Sequence, residues 1–239
     1  MDKKLVIIPT YNEKENVKNI IQAVMALEGN YHILIVDDNS PDGTGNIVDD
    51  LISDAGGRLH ILHRNAKNGL GPAYIAGFKY GLEHNYDYLF EMDADFSHNP
   101  NDLLRLFAAC KDDGADVSVG SRYTKGGAIG DSWGWYRHML SYGASIYVRL
   151  VTFMPVKDPT AGFICYKRKV LEKIDLDNIS FTGYAFQIEM KYAAYKHGFK
   201  IREVPITFID RELGVSKMDT SIVKEAILGV LRMRMKKKV

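Results

Sequence analysis

Cysteine is scarce in this chain, and its placement excludes two classes of protein. The 239 residues include 2 cysteines, Cys110 and Cys165, which lie in apolar sequence without the short spacing of metal ligands. A disulfide-stabilised secreted scaffold and a cysteine-based metal domain are therefore excluded. We predict that both thiols are reduced core residues of a cytosolic protein.

The chain also lacks an excess of either charge and lacks long apolar runs. Its 31 basic and 30 acidic residues give a formal net charge of +1, so no overall field favours nucleic acid as a partner. No run reaches the roughly 18 apolar residues that would indicate a membrane-spanning helix, and the first apolar run is too short for a signal peptide. We expect a protein that is soluble or peripheral to a membrane.

The glycine-rich phosphate motifs are incomplete. Gly69 and Gly71 begin a dinucleotide fingerprint, but Tyr74 stands where the third glycine is needed, and no Walker-type Gly-Lys-Ser/Thr is present. A dinucleotide fold and a P-loop are therefore disfavoured. We predict that the two glycines serve a tight turn or close backbone packing.

What the chain does contain is an alternation of apolar runs and helical patterns. The predicted strands cover residues 5–8, 33–36, 59–63 and 88–90. Amphipathic stretches follow them with short links, which is typical of βαβ units and of a mostly parallel sheet flanked by helices. No domain boundary or repeat is visible, so we predict one α/β domain over residues 1–239 with a helical appendage from about residue 218 to 239.

Three of these strands end in polar or acidic loops. The loops are Pro9-Thr10-Tyr11-Asn12-Glu13, Asp37-Asp38 and Asp93-Ala94-Asp95. Carboxyl ends of parallel strands meet at one edge of a sheet, where α/β proteins bind ligands. Mg²⁺ and Mn²⁺ prefer oxygen ligands and often share them with substrate phosphates. Taken alone, Asp93 and Asp95 could equally cap the helix that begins near Pro100, but the convergence of three loops favours a nucleotide-diphosphate site.

The second half of the chain is less regular. Gly126, Gly127 and Gly130 predict a mobile loop. Residues 136–154 form a predicted helix that is apolar on nearly every side, which indicates a helix that is either buried or lying in a membrane surface. Composition alone favours burial. Residues 201–208 alternate as an edge strand would.

The C-terminal helix ends in a cluster of cations. Five of them lie within seven residues: Arg232, Arg234, Lys236, Lys237 and Lys238. Cations suit the C-terminus of a helix, and they equally suit anionic lipid headgroups. Both interpretations stay open.

Taken together, these motifs resemble the family 2 glycosyltransferases, and within them the dolichyl-phosphate or polyprenyl-phosphate mannose synthases. The matching segments are residues 9–13, 36–44, 93–98, 120–123, 158–163, 183–187 and 211–217. The first three are shared widely in the family, whereas the surroundings of Arg122, Gln187 and Lys217 are more specific. The resemblance implies the GT-A nucleotide-diphospho-sugar transferase fold, with a Rossmann-like sheet.

The resemblance also implies roles for residues of the donor site. Those bounding the nucleotide pocket would be Pro9, Tyr11, Glu13, Val36 and Asp38. Asp93, Ala94 and Asp95 would contact the nucleotide sugar, with both carboxylates acting through Mg²⁺ or Mn²⁺. Ser97 would occupy a third metal-facing position, where some relatives have Gln and water could serve instead. His98 is expected to support this loop or to cap the next helix.

A second set of residues would bind phosphates and the acceptor. By resemblance these are Arg122, Arg137, Ser141, Gln187, Arg211 and Lys217. Arg137 and Ser141, one helical turn apart, match positions that hold the acceptor phosphate, so the helix around them could cradle the start of a polyprenyl chain. Asp95, Arg122 and Arg137 are the expected catalytic residues.

The implied reaction is metal-dependent, inverting transfer of mannose from GDP-mannose to a polyprenyl phosphate. Two alternatives remain: a transferase using UDP-glucose or UDP-N-acetylglucosamine with a lipid-phosphate or glycan acceptor, and a non-catalytic membrane-surface module. The expected partners are the nucleotide sugar, the lipid phosphate and an anionic membrane surface, with a membrane-anchoring protein as a further candidate and no nucleic acid. The expected location is the cytoplasm, at the inner face of the membrane.

Overall fold

A computed structural model describes residues 2–130, 134–183, 185–211 and 229–234. The strands are β1 (Lys4–Thr10), β2 (Tyr31–Asp37), β3 (Leu59–His63), β4 (Tyr88–Glu91), β5 (Val117–Ser121), β6 (Ala128–Ile129), β7 (Ile164–Lys167), β8 (Ile201–Pro205) and β9 (Thr207–Phe208). The α-helices are α1 (Val17–Met25), α2 (Thr44–Ile52), α3 (Leu70–Glu83), α4 (Asp102–Lys111), α5 (Trp135–Thr152), α6 (Arg168–Lys173) and α7 (Ala185–Lys196). A 3-10 turn covers Leu176–Asn178.

Seven strands form one sheet in the order β3-β2-β1-β4-β7-β5-β8. Strand β7 runs antiparallel to β4 and β5, while the other neighbouring pairs are parallel. The predicted mostly parallel sheet is therefore confirmed, and so is the edge position of β8. The four strands predicted in the first half of the chain are β1 to β4.

Successive apolar side chains of β1 point to alternate faces of the sheet, and helices cover both faces. Val6 and Ile8 pack in a core cluster with the apolar side chains of α1, whereas Leu5 and Ile7 pack in a second cluster with those of α3. Successive side chains of a strand point to opposite faces. A continuous apolar run such as that of β1 therefore indicates a strand with helices on both sides. Cys110 and Cys165 are free and buried, as predicted.

The chain reverses its direction of travel across the sheet at β1. From β1 it continues outward to β2 and β3, and then returns to the opposite side of β1 as β4. The register pairs Thr10 with Asp37 and Ile7 with Glu91, so the carboxyl ends of these three strands lie side by side. Such a switch in strand order opens a crevice for ligands.

Helix α5 does not have the predicted burial. Trp135 is 76% exposed and Leu150 69%, so burial of this helix was the wrong expectation. The buried side is narrow and holds Ser145, Val148 and Thr152. Both hydroxyls donate to the carbonyl one turn back, which lets small polar residues face inward and leaves the large apolar residues outside.

The glycines that follow β5 lie beside a short pair of strands, and the mobility predicted for this loop stays a prediction. Ala128 and Ile129 form β6, which pairs with β9. Gly127 packs so closely on the carbonyl of Ser121 that a Cβ would clash. Gly69 and Gly71 likewise face the backbone of residues 181 and 182, which confirms the prediction of close packing.

Residues 229–234 are helical, and the remainder of the predicted C-terminal helix lies outside the described residues. Within the described ranges, no helix is both long and apolar enough to cross a bilayer.

Candidate functional site

The crevice begins where β1 and β2 end. Asp37 does not face it, because its Oδ1 accepts hydrogen bonds from Thr10 Oγ1 (2.9 Å) and Ser40 Oγ (2.6 Å), and its Oδ2 accepts from the Ser40 N–H. Asp37 therefore fixes the turn after β2. The neighbouring Asp38 is held by its own N–H, which donates to the Thr10 carbonyl at 3.0 Å.

Asp38 is paired with a cation that sequence reasoning missed. Arg64 Nη1 donates to Asp38 Oδ1 at 2.6 Å. Burial raises the pKa of Asp38, and the Arg64 guanidinium opposes that rise. Lys67 is a second missed cation, with its Nζ 4.4 Å from the centre of the Tyr11 ring. Arg64 and Lys67 both follow β3, which pairs with β2. Their position after a neighbouring strand was the signal in the sequence that could have placed them at this crevice.

Of the other residues predicted to bound the nucleotide pocket, Glu13 lies in the loop after β1, whereas Pro9 and Val36 lie within the sheet. Glu13 is 7% exposed, and its carboxylate accepts from Asn16 Nδ2 at 3.0 Å. Its N–H donates to Thr44 Oγ1, which ties the loop after β1 to α2. Pro9 lies opposite Val36 in the sheet, and Val36 is completely buried in the core beneath the crevice. The structure therefore does not bring Val36 to the crevice surface.

The acidic loop, residues 93–95, lies across the crevice at the end of β4. Asp95 is 6% exposed; its Oδ1 accepts from the Ser97 N–H (3.0 Å) and its Oδ2 from Arg211 Nη2 (2.8 Å). Asp93 keeps 40% of its side-chain surface accessible. The protein removes water from the rest of that side chain, and the carboxylates of Asp95 and Glu13 add negative charge. Together these effects raise the pKa of Asp93 to about 7.

This loop fits a hard divalent cation. Asp95 already holds a cation, the Arg211 guanidinium, and the crowded negative charge at Asp93 favours another. In the described part of the chain, no group of three or more His, Cys, Asp and Glu residues could hold a metal ion. The protein would thus supply two carboxylates, and a diphosphate and water would complete the coordination, as is usual for Mg²⁺. Ser97 is buried, and its role as a third ligand stays a prediction.

His98 packs directly behind the acidic loop. Its ring stacks on Phe163 at 4.8 Å and meets the Phe208 ring edge-on at 5.6 Å. Its Nδ1 lies 4.0 Å from Asp93 Oδ2. Burial lowers the pKa of His98 to about 4, so the imidazole is neutral. This placement suits the supporting role expected for it.

Arg122 is engaged by a buried carboxylate. Its Nε and Nη2 donate to Asp158 at 2.7 and 2.6 Å, its Nη2 also donates to Thr160 Oγ1, and its backbone N–H donates to Asp158. Burial alone would raise the pKa of Asp158, but the Arg122 guanidinium outweighs that effect, and the pKa is lowered. Glu203 fixes this turn by accepting the N–H groups of Lys157 and Asp158. The structure thus shows Arg122 neutralised by Asp158, a partner that sequence reasoning missed.

Gln187 lies beneath the crevice. It is 1% exposed, and its Nε2 donates to the fully buried Glu91 at the end of β4. Lys191 Nζ donates to the carbonyls of Ala161 (2.7 Å) and Gln187 (2.8 Å). Burial raises the pKa of Glu91 to about 8 and lowers that of Lys191 to about 8. These contacts join β4, α7 and the turn beside Asp158, which places Gln187 under the site and away from its surface.

Arg137 and Ser141 lie one turn apart on α5. Arg137 Nη1 contacts Asp210 Oδ2 at 2.9 Å and Oδ1 at 3.1 Å. Ser141 Oγ accepts from the hydroxyl of Tyr123, the residue after Arg122, at 2.7 Å. No pattern in the sequence assigns a role to Tyr123 or Asp210. The remaining predicted ligand, Lys217, lies outside the described residues.

A short stretch joins the acidic loop to α5. The Ile209 N–H donates to the Ser97 carbonyl at 3.2 Å, Asp210 contacts Arg137, and Arg211 contacts Asp95. Asp210 and Arg211 are consecutive, so their Cα atoms are about 3.8 Å apart. The structure therefore brings the predicted donor carboxylates and the predicted acceptor cation to the same part of the crevice.

The sequence profile of Glycosyl transferase family 2 matches residues 5–175. Polyprenol monophosphomannose synthase of Mycolicibacterium smegmatis is 50% identical over 228 residues, covering 95% of this chain and 85% of that protein. Undecaprenyl-phosphate mannosyltransferase of Micrococcus luteus is 45% identical, covering 95% of this chain and 92% of that protein. Dolichol-phosphate mannosyltransferase of Pyrococcus furiosus is 36% identical, and this chain spans 63% of its length.

Solved structures show the same fold at low sequence identity. Glucosyl-3-phosphoglycerate synthase from Mycobacterium tuberculosis, in complex with Mn²⁺, uridine diphosphate and glucosyl-3-phosphoglycerate, has a TM-score of 0.68 at 14% identity, covering 98% of this chain and 80% of that one. Mannosyl-3-phosphoglycerate synthase from Rubrobacter xylanophilus has a TM-score of 0.66 at 17% identity, covering 97% of this chain and 72% of that one. The expected GT-A fold is confirmed.

Proposed function

This chain belongs to Glycosyl transferase family 2, and we propose that it transfers mannose from GDP-mannose to a polyprenyl phosphate, with inversion and with the help of Mg²⁺ or Mn²⁺. We also propose that residues 1–239 act as one GT-A domain. Three relatives support the sugar and the acceptor class, because they are named for mannosyl transfer to polyprenol-type lipids. The observation that carries the proposal is the meeting of the acidic loop with Arg137 of α5 through Asp210 and Arg211.

The crevice between β1, β2 and β4 would bind the donor. Tyr11 and Asp38, with Arg64 and Lys67 beside them, suit the base and ribose, because they offer a ring, a carboxylate and cations within one recess. Asp93 and Asp95 would hold Mg²⁺ or Mn²⁺, which when bound neutralises charge on the departing diphosphate.

Arg137 and Ser141 would hold the phosphate of the acceptor. A phosphate oxygen would attack the anomeric carbon from the face opposite the diphosphate. The new carbon–oxygen bond would form as the bond to GDP breaks, and the electron pair would leave with GDP, so the configuration inverts. A phosphate monoester carries a charge of about −1.5 to −2 at pH 7, so its oxygen needs no carboxylate base. The work of the protein is then to align two anions and to stabilise the leaving group.

The exposed side of α5 suits the lipid. Eight large apolar residues on and just after this helix are exposed: Trp135, Tyr136, Met139, Leu140, Tyr142, Ile146, Leu150 and Phe153. Exposed apolar side chains concentrated on one helix mark an interaction surface, and an amphipathic helix with aromatic and aliphatic side chains lies well in a bilayer interface. We name these residues the outer face of α5. Together they could seat the first isoprene units and dock the protein on the membrane.

Cations beside the outer face of α5 support an anionic membrane as the partner. Arg149 lies on the same helix, and the Arg234 guanidinium stacks over Phe153 at 4.4 Å while its Nη1 donates to the Val151 carbonyl. Arginines next to an apolar face attract anionic lipid headgroups. We therefore propose a location at the inner, cytoplasmic face of the membrane.

The proposed function can be tested by offering the protein a panel of nucleotide-sugar donors. Purified protein would be incubated with Mn²⁺, a polyprenyl phosphate and separate nucleotide sugars, and the lipid products would be identified by mass spectrometry. The proposal expects a mannosylated lipid with GDP-mannose alone. A product only with a UDP-sugar would overturn the donor assignment, and no lipid product with any donor would refute the proposal.

A further inference from the structure

Two consecutive residues neutralise opposite charges in the two halves of the site. Asp210 contacts Arg137, the proposed acceptor-phosphate ligand, and Arg211 contacts Asp95, the proposed metal ligand. We call Asp210 and Arg211 the bridging dipeptide. No signal in the sequence singled out Asp210, and Arg211 was expected to bind phosphate and not a carboxylate.

The charges of the bridging dipeptide match those of the ligands that the site would bind. A carboxylate with both oxygens near Arg137 has the charge and the oxygen chemistry of a lipid phosphate. A guanidinium on Asp95 Oδ2 has the charge sign of a divalent cation. Asp95 is 6% exposed, so its Oδ2 is covered while Arg211 stays in place.

The peptide geometry couples the two contacts. The bridging dipeptide shares one planar peptide unit, and the Ile209 N–H fixes its start on the Ser97 carbonyl. A movement of the Arg211 backbone away from Asp95 also reorients this shared peptide unit, and with it the residue that carries the Asp210 carboxylate. The contact of Asp210 with Arg137 is also the weaker one, because the side chains are 31% and 43% exposed.

We propose that the bridging dipeptide is an internal stand-in for both substrates, and that binding of the metal and donor diphosphate at Asp95 releases Arg211, withdraws Asp210 and so makes Arg137 available to the acceptor phosphate. This inference rests on the proposed function. Asp210 is then a positioning residue. The consequence is ordered binding with positive coupling, in which donor and acceptor strengthen each other's binding by the same factor.

Titration with Mn²⁺ alone tests the contact with Asp95. Isothermal titration calorimetry would compare the wild type with Arg211→Gln and Arg211→Lys. Arg211→Gln should bind Mn²⁺ at least about fivefold more tightly, the lower end of usual coupling strengths, because no cation competes for Asp95. Arg211→Lys, which keeps the charge, should stay close to the wild type.

A matched control is Arg105→Gln on α4, which removes a 2.6 Å ion pair with Asp102 away from the crevice. It should leave Mn²⁺ affinity unchanged. An unchanged or weaker Mn²⁺ affinity in Arg211→Gln would overturn the inference, and so would the absence of Mn²⁺ binding in both the wild type and this variant.

Farnesyl phosphate, a short soluble acceptor probe, tests the coupling. In the wild type, Mn²⁺ with GDP should lower its Kd by about fivefold or more. For the Asp210→Asn variant, the Kd for farnesyl phosphate should already be low in the absence of Mn²⁺ and GDP. Adding Mn²⁺ and GDP should then change that Kd little. Equal coupling in the wild type and in Asp210→Asn would overturn the inference.

The outcome separates this inference from the proposed function. A protein that forms the mannosylated lipid but binds farnesyl phosphate equally with and without Mn²⁺ and GDP would refute the inference alone. A protein that shows the coupling but uses a UDP-sugar would refute the proposed donor and keep the inference.

Discussion

The pair of Arg122 and Asp158 gives the sharpest stability prediction. The Asp158 side chain is 0% exposed and that of Arg122 is 11% exposed, and three hydrogen bonds join the two residues. Substituting Asp158→Asn keeps the shape but leaves the guanidinium without its countercharge. Breaking one partner of a buried ion pair costs about 3–5 kcal/mol, which is a large part of a typical stability of about 5–15 kcal/mol.

The loss of folding stability in Asp158→Asn can be measured as a change in melting temperature or in denaturant midpoint. For a chain of this size each kcal/mol shifts the Tm by about 2–4 °C, so Asp158→Asn should lower it by about 6–20 °C. Asp102→Asn, which removes the exposed Arg105 pair, is the control and should change stability by about 1 kcal/mol or less. Equal effects of the two substitutions would show that Arg122 does not depend on Asp158.

The same pair predicts a pH dependence with a definite sign. The pKa of Asp158 is lower in the folded chain than in the unfolded chain, so its contribution is complete above the unfolded pKa. It is lost progressively as the pH falls below about 4 towards the folded pKa. The stability difference between the wild type and Asp158→Asn should therefore shrink in acid, and a difference that stays constant or grows there would contradict the assignment.

Three further predictions concern the site and the fold. Arg137→Ala should raise the KM for polyprenyl phosphate more than the KM for the donor, and equal increases in steady-state kinetics would reject the acceptor role. Replacing Leu150 and Phe153 together by Ser should weaken sedimentation with anionic liposomes, because both side chains are exposed on the outer face of α5; unchanged sedimentation would remove the outer face of α5 as the docking surface. Gly71→Ala should lower the urea midpoint, because a Cβ there would meet the Phe181 carbonyl, and an unchanged midpoint would contradict that packing.

The sequence was sufficient for the sheet and the donor side of the crevice. Continuous apolar runs followed by acidic loops are local signals, and parallel strands necessarily bring their carboxyl ends to one edge. The acidic loop at Asp93 and Asp95 and the pocket at Asp38 were therefore predictable in position. Their cationic partners were harder to predict, because no periodicity marks either pairing. For Arg64 the available signal was its position after β3, the neighbour of β2, whereas Arg211 comes from a distant segment.

Other features depend on long-range packing that no local pattern records. Arg122 was expected to bind phosphate, and only the fold shows that Asp158 holds its guanidinium. Helix α5 was expected to be buried because its composition is apolar, but Ser145 and Thr152 face inward by bonding their own helix backbone. Gln187 lies beneath the site because Glu91, at the end of β4, needs a buried donor.

The most direct test of the account is the product formed from GDP-mannose and a polyprenyl phosphate in the presence of Mn²⁺. Mass spectrometry of the lipid should show the addition of one hexose, and NMR of the purified product should show an inverted anomeric centre. Asp95→Asn, which removes a proposed metal ligand, should abolish this product. Retention of the donor's configuration, or a product that forms equally well with Asp95→Asn, would contradict the account.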